Sequence, residues 1–516
     1  MRARSASVVF SSIILGSALA RVEAQSLGLD TLPALNPPPD EAMSDPENLP
    51  PGVIPQPSVD FPGVVLGITL GELYTDNLTL AASGTPKQSN WITEIRPFIK
   101  SAYSSPRFSG LLNYTLTGYL YAGQSSYNQV AQDLYANGTL IILPQHLFLD
   151  GGASYRREII SNEFGAGSGS YFLNNNQANV AIGTLSPYWL QDLGRVGTMT
   201  LRYTRGRVVY NDRGISGQDP DRLSGIPDVT SDAVQFDLVS PEFQTLGWNL
   251  AYADQRLDPD FGSSVRFAQA RLGTSLQVSN ELQLLADVGK EDKFLPDGTE
   301  ERLGSSFWDV GFAWSNTRDS FRAMAGRRFY GRSYQLSWTH QAALLTTKLS
   351  YVEQPTTYNR QLLGSTFGTG VTRPISVSRS IPSLTELRPY LSKRWTATAA
   401  YTMPKSKLTV TVYDESRAYF IQDSTSEQVA NADVSWPFDL GPVTGLTPGF
   451  DWRRYRFRSG QVSYRRYAQL VLAHQFNAKN SASLWLRRDS ETVYAGVPGA
   501  HGYDANVIFL QWTHLF

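Results

Sequence analysis

From residue 64 onward, apolar and polar residues alternate with a period of two. Trp308, Val310, Phe312 and Trp314 share one face, while Asp309, Gly311, Ala313 and Ser315 share the other. The apolar face recurs as Leu112/Tyr114/Leu116, Leu147/Leu149/Tyr155, Val234/Phe236/Leu238 and Leu246/Trp248/Leu250/Tyr252. It continues as Leu282/Leu284/Val288, Tyr334/Leu336/Trp338 and Leu408/Val410/Val412. Opposite these lie Asn113/Thr115/Thr117, Gln283/Asp287 and Gln335/Ser337/Thr339. No run after the N-terminus is long and apolar enough for a spanning helix. Strands with one apolar and one polar face predict a sheet that crosses a bilayer, closed so that no backbone edge meets lipid.

Connections alternate in length. Ser104-Ser105-Pro106, Leu143-Pro144-Gln145, Val278-Ser279-Asn280, Asn316-Thr317-Arg318 and Asn477-Ala478-Lys479 read as tight turns. Between them come longer polar or Gly-rich stretches at 157–173, 211–230, 291–304, 354–387 and 493–502. Short turns belong on the periplasmic side and long loops outside. The fold class expected is all-β: a transmembrane antiparallel up-and-down β-barrel of about 22 strands, within roughly 20 to 24, over residues 63–516. An even count puts both termini in the periplasm. A barrel so wide needs filling, and inward-folded loops such as 354–387 are the material available.

The two ends of the sequence agree with that location. Arg2 and Arg4 precede an apolar stretch from Val8 to Leu19 that is too short to span, followed by small residues. Residues 1–24 therefore read as a signal peptide, with cleavage after Ala24, or after Ala20. Residues 25–62 carry ten prolines among Asp30, Asp40, Glu41, Asp45, Glu47 and Asp60, with no Lys or Arg. Such a stretch is expected to be a disordered periplasmic linker. It is too short for a plug domain. The last strand places Ile508, Leu510, Trp512, His514 and Phe516 on one face. Its terminal aromatic, with Trp512, Leu510 and Ile508, is expected to be the signal that barrel assembly machinery reads.

Composition narrows the class further. The formal net charge is −1 and there is no cysteine, which argues against a nucleic-acid partner and rules out disulfides, thiol catalysis and lipoprotein anchoring. Aromatic residues make up 12% of the chain, as interfacial girdles require.

Within this pattern, Gly71-Glu72-Leu73-Tyr74-Thr75-Asp76-Asn77 ends the first strand and Glu94-Ile95-Arg96-Pro97 lies in the second. Arg107-Phe108 opens a Tyr-rich strand from Asn113 to Tyr121, and the barrel closes on Trp512-Thr513-His514-Leu515-Phe516. This succession resembles the outer-membrane barrels associated with PEP-CTERM exosortase systems. The resemblance implies a bacterial outer-membrane pore or transport component linked to exopolysaccharide export and biofilm matrix formation. It brings no active-site residues with it. The alternatives are a structural or assembly barrel that docks partners without conducting, and a general porin for polar solutes. The partners expected are outer-membrane lipid and lipopolysaccharide, the assembly machinery, polysaccharide and periplasmic export components.

Candidate chemistry lies on the lumen parity. It holds Glu94, Arg96, Lys100, Asp150, Arg202, Asp237, Arg271, Asp287, Asp309, Lys348, Asp433, Asp451, Arg453 and Arg487. These charges read either as a mutually neutralising lining or as a charge-lined path. Tyr119, Tyr121, Tyr467 and Trp485 share the inward parity, where rings either stack on sugar faces or fill space beneath a loop. The histidines are His146, His340, His474, His501 and His514, and none has a Ser or carboxylate partner at a readable spacing, so no enzyme and no catalytic residue is expected. Loop acids Asp219, Asp221, Asp228, Asp232, Asp258 and Asp260 match no calcium motif. No metal and no cofactor is expected.

Overall fold

The computed structural model describes residues 63–163, 167, 169–173, 176–211, 226–241, 245–295, 299–364, 388–420, 426–494 and 500–516. The expected signal peptide, the Pro-rich linker, Asp219 and Asp221 lie outside the described residues.

The strands are β1 (Gly63–Thr75), β2 (Asn90–Ser104), β3 (Phe108–Tyr121), β4 (Gln129–Leu143), β5 (Leu147–Ile159), β6 (Gln177–Asp192), β7 (Thr198–Asn211) and β8 (Val229–Val239). They continue as β9 (Leu246–Pro259), β10 (Val265–Gln277), β11 (Leu282–Phe294), β12 (Glu300–Ser315), β13 (Asp319–Arg328), β14 (Gly331–Gln341) and β15 (Leu345–Thr356). After helix α1 (Tyr358–Gly364) come β16 (Tyr390–Met403), β17 (Ser406–Tyr419), β18 (Glu427–Ser435), β19 (Phe438–Gly441), β20 (Thr444–Arg456), β21 (Val462–Asn477), β22 (Asn480–Tyr494) and β23 (Tyr503–Leu515).

Each strand pairs antiparallel with its sequence neighbours, and β1 pairs with β23 from Gly67↔Leu515 to Thr75↔Val507. The sheet therefore has no free end. β18 and β19 are one stave: both pair with β17 and with β20, and Trp436-Pro437 interrupts them. Proline has no N–H for the ladder, which explains the break. The wall is thus a closed antiparallel barrel of 22 staves, the architecture of the bacterial outer membrane.

Parity sorts the two faces. On β1, Val64, Leu66 and Leu70 are exposed on the outside, while Gly67, Thr69, Gly71 and Leu73 are buried inward. The glycines admit rings from adjacent staves: a Cβ at Gly67 would meet Phe98, and one at Gly71 would meet Phe509. On β23, Ile508, Leu510, Trp512 and Phe516 are exposed outward. The Phe516 backbone N–H donates to Leu66 O at 3.0 Å, so the last residue helps to close the ring.

The five predicted tight turns all lie at the end of the barrel that holds Gly63 and Phe516. Longer connections lie at the opposite end. The expected long loop 291–304 is corrected by the structure: β11 and β12 run on to pair Lys293↔Glu301 and Phe294↔Glu300. The extension is possible because the Asp292 carboxylate accepts the backbone N–H of Ala268 at 2.6 Å and of Leu303 at 2.7 Å, in place of ladder partners.

Candidate functional site

The inward parity of a sequence such as Asp451-Trp452-Arg453 places both charges on the lumen wall two residues apart. They are joined there: Arg453 Nε donates to Asp451 Oδ1 at 3.0 Å. The same arrangement pairs Arg96 with Glu94 at 2.9 Å, Arg156 with Glu158 at 2.5 Å, Arg417 with Glu415 at 2.8 Å and Arg487 with Asp489 at 3.9 Å. Other pairs bridge staves: Arg202 reaches Asp150 at 2.7 Å and Arg271 reaches Asp287 at 3.7 Å. Arg328 holds both Glu291 and Asp309 at 2.7 Å.

Glu94, Arg96, Arg202, Arg271, Asp287, Asp309, Arg453 and Arg487 therefore all lie on the lumen wall, each in an ion pair. The lining is paired both within single strands and across staves, Arg394–Glu415 and Arg465–Glu491 being further pairs of the second kind. Arg156, Glu158, Glu291, Arg328, Glu415, Arg417, Arg465 and Glu491 belong to it as well, although the sequence reading did not select them. An acid and an arginine at i and i+2 on the polar face of a strand is the signal for Arg156/Glu158 and Glu415/Arg417, whereas Glu291, Arg328, Arg465 and Glu491 pair across strands and have no such spacing.

Two segments at the loop end turn into the barrel. Residues 169–173, in the β5–β6 connection, bring Tyr171 and Phe172 against Leu73, Leu78, Ile92 and Tyr503. The preceding turn reaches β21 and the β20–β21 connection, where Arg465 donates to Asn162 Oδ1 at 3.0 Å and Gln461 donates to Glu163 O at 2.7 Å. Helix α1 is the second segment. Tyr358, Leu362 and Leu363 pack with Val180, Val208, Leu257 and Phe267 from one side and with Tyr390 and Tyr419 from the other. Phe294 and Phe420 stack at 5.2 Å beside it. These contacts fill part of the lumen at the loop end.

α1 also carries Arg360. Its Nε donates to Gln255 Oε1 at 2.8 Å, its Nη1 donates to Pro355 O at 3.1 Å, and the guanidinium lies 4.2 Å from the Phe267 ring centre. It has no ion-pair partner among the described residues. Burial pushes its pKa down to about 9, which leaves it protonated at neutral pH.

The four inward aromatics divide. Tyr119 packs edge-on to Tyr171, and Tyr121 donates its hydroxyl to Tyr171 O at 2.7 Å. Both are buried beneath the inward segment, so these two fill space and offer no face to a ligand. Tyr467 donates to Gln469 and lies under Arg487, 4.9 Å from its ring centre. Trp485 is half-buried, with Nε1 donating to Ser483 at 2.8 Å.

Histidine partners correct the sequence reading. His340 does have a carboxylate partner: Asp319 lies directly across the β13–β14 rung, 2.8 Å from Nδ1. His474 faces Thr444 at 2.8 Å and His514 faces Asn480 at 2.9 Å, again on shared rungs. The pairs are invisible in sequence spacing because a rung joins residues on different strands. All three lie at the terminus end, beside Trp338, Phe476 and Trp512, as interfacial rings. His146 stacks on Trp189, and His501 lies by Leu80 O.

The loop acids that are described are held by arginine. Arg207 lies 3.7 Å from both Asp228 and Asp260, Arg205 lies 3.6 Å from Asp232, and Arg256 pairs with Asp258 at 2.8 Å.

No protein-family model matches the sequence, and no curated protein matches it. Solved structures similar to this chain include the FrpB iron transporter from Neisseria meningitidis, with TM-score 0.47 and 11% identity, covering 88% of this chain and 82% of that one. The siderophore receptor PirA from Acinetobacter baumannii gives TM-score 0.45 and 8% identity, covering 87% of this chain and 80% of that one. Likeness at this level carries no inference about what this chain transports or binds.

Proposed function

We propose that this chain is a gated outer-membrane conduit for a polar, hydroxyl-rich solute, serving export of an extracellular polysaccharide. One observation carries the reading. Segments of the same chain fold into the lumen at the loop end, and the turn of one of them is tied to the β20–β21 side by polar contacts, Arg465 to Asn162 and Gln461 and Ser459 to Glu163. A cover attached that way can lift without breaking the wall. A lining of paired charges suits a polar polymer, because it offers hydrogen bonds throughout without a strong net field to trap a charged solute. The motifs shared with PEP-CTERM-associated barrels support the polysaccharide link. In this reading the termini face the periplasm and the long loops face outward.

A second reading, a structural barrel that docks partners without conducting, is favoured by the ion pairing of the lumen arginines. Single-channel recording of the full-length protein in planar bilayers separates the two. A closed resting state with discrete openings supports the conduit. Silence at every voltage, persisting when the 160–173 segment is loosened by substitution, supports the structural barrel.

A further inference from the structure

The ladder between β14 and β15 stops at Leu336↔Tyr351. Above it, residues 331–335 still pair with β13, and residues 352–356 still pair with β16. The wall therefore has a seam at the loop end. Pro355 lacks an N–H, and its carbonyl is taken by Arg360 of α1 instead of a neighbouring stave.

Behind the seam lies a cavity of about 90 Å³. Exposed Tyr334 and Val352 form its outer edge, so it reaches the surface through the missing rungs. Phe267, Phe294 and Phe329 give it aromatic walls. Two of its polar lining atoms are buried with no hydrogen-bond partner: Gln269 Nε2, a donor, and Glu353 Oε2, an acceptor. The Glu353 side chain is only 2% exposed. Arg360 also lines the cavity.

We infer that this cavity is a subsite for one neutral, hydroxyl-rich ring, a hexose unit. A hydroxyl is the neutral group that satisfies an orphaned donor and an orphaned acceptor at once. Leaving such groups unpaired is costly, so a ligand that pairs both gains what the empty site lacks. The aromatic walls suit the C–H face of a sugar ring. An anion fits worse, because five carboxylates line the cavity, Asp287, Glu291, Asp292, Asp309 and Glu353, against two arginines, Arg328 and Arg360. The inference deepens the conduit reading, on which it rests for its biological sense, by naming the substrate class.

Saturation-transfer NMR on the full-length barrel in a sugar-free zwitterionic detergent tests it, with glucose as probe and glucuronate as its anionic counterpart. Transfer to glucose ring protons should exceed transfer to glucuronate. Gln269→Ala and Glu353→Gln should each weaken glucose binding about tenfold, the loss of one buried hydrogen bond. Heat-modifiable mobility verifies that each variant is folded. Absence of glucose transfer, transfer unchanged in both folded variants, or a preference for glucuronate overturns the subsite. Conductance is measured separately, so loss of binding with openings intact retires the subsite and spares the conduit. Binding without openings does the reverse.

Discussion

Asn162 accepts a hydrogen bond from Arg465 at 3.0 Å, although 303 residues separate the two along the chain. The bond ties the segment after β5 to β21, seven staves away round the ring, while the same arginine keeps Glu491 at 3.3 Å. Asn162→Ala removes one of the ties, leaves the bonds of Gln461 and Ser459 to Glu163, and keeps the Arg465–Glu491 pair in place. We expect a loss of about 1–3 kcal/mol locally and a higher open probability in planar bilayers, with the wall intact by heat-modifiable mobility. Unchanged gating would mean that this segment does not close the mouth.

The Arg417–Glu415 pair is a sharper test of the lining as structure. Arg417 is fully buried and donates two hydrogen bonds to Glu415. Arg417→Gln leaves buried Glu415 with the Ser392 hydroxyl and with Arg394 only at 3.9 Å, at a cost of up to about 3–5 kcal/mol. The temperature at which the barrel loses its compact mobility should drop clearly. Arg205→Gln, at a side chain 65% exposed, should change stability by less than about 0.5 kcal/mol.

Replacing Arg202, Arg271, Arg453 and Arg487 together with Gln separates path from lining. Each arginine leaves a lumen carboxylate behind: Asp150, Asp287, Asp451 and Asp489. Stability should therefore fall. In a barrel opened by Asn162→Ala, the same change should shift selectivity toward cations. The shift should grow as salt is lowered, because screening at physiological salt acts over about 8 Å. Reversal-potential measurements in two salt concentrations read this directly.

Phe516 is 72% exposed on the outer face, and its backbone N–H is bonded to Leu66 O. Deleting it should leave export across the inner membrane intact and cause degradation of unassembled barrel in the periplasm. Fractionation with an antibody to a loop tag checks this. Normal outer-membrane levels in the deletion would show that the terminal aromatic is not being read.

Tags placed within 211–230 and 354–387 should be accessible on intact cells, and a tag near Pro50 should not. Both loops leave strands whose other ends lie with the tight turns, so their accessibility reads the orientation of the whole barrel. Labelling of the Pro50 tag alone would invert it.

The period of two determined which face each strand residue takes. That is why Trp308 and Val310 are found outside and Asp309 inside, and why the ring of 22 staves was legible before any coordinates. A β-strand permits no other choice once one face meets lipid and the other does not. What period two leaves open is everything that lies across a rung or across the lumen. His340 and Asp319, or Arg328 with Glu291 and Asp309, meet because staves are set at a particular register. The burial of Tyr119 and Tyr121 under Tyr171, the docking of α1, and the seam above Leu336↔Tyr351 depend on where connections fold once the ring has closed. Local alternation carries no information about such contacts, because their partners lie on other strands and only the closed barrel brings them within reach.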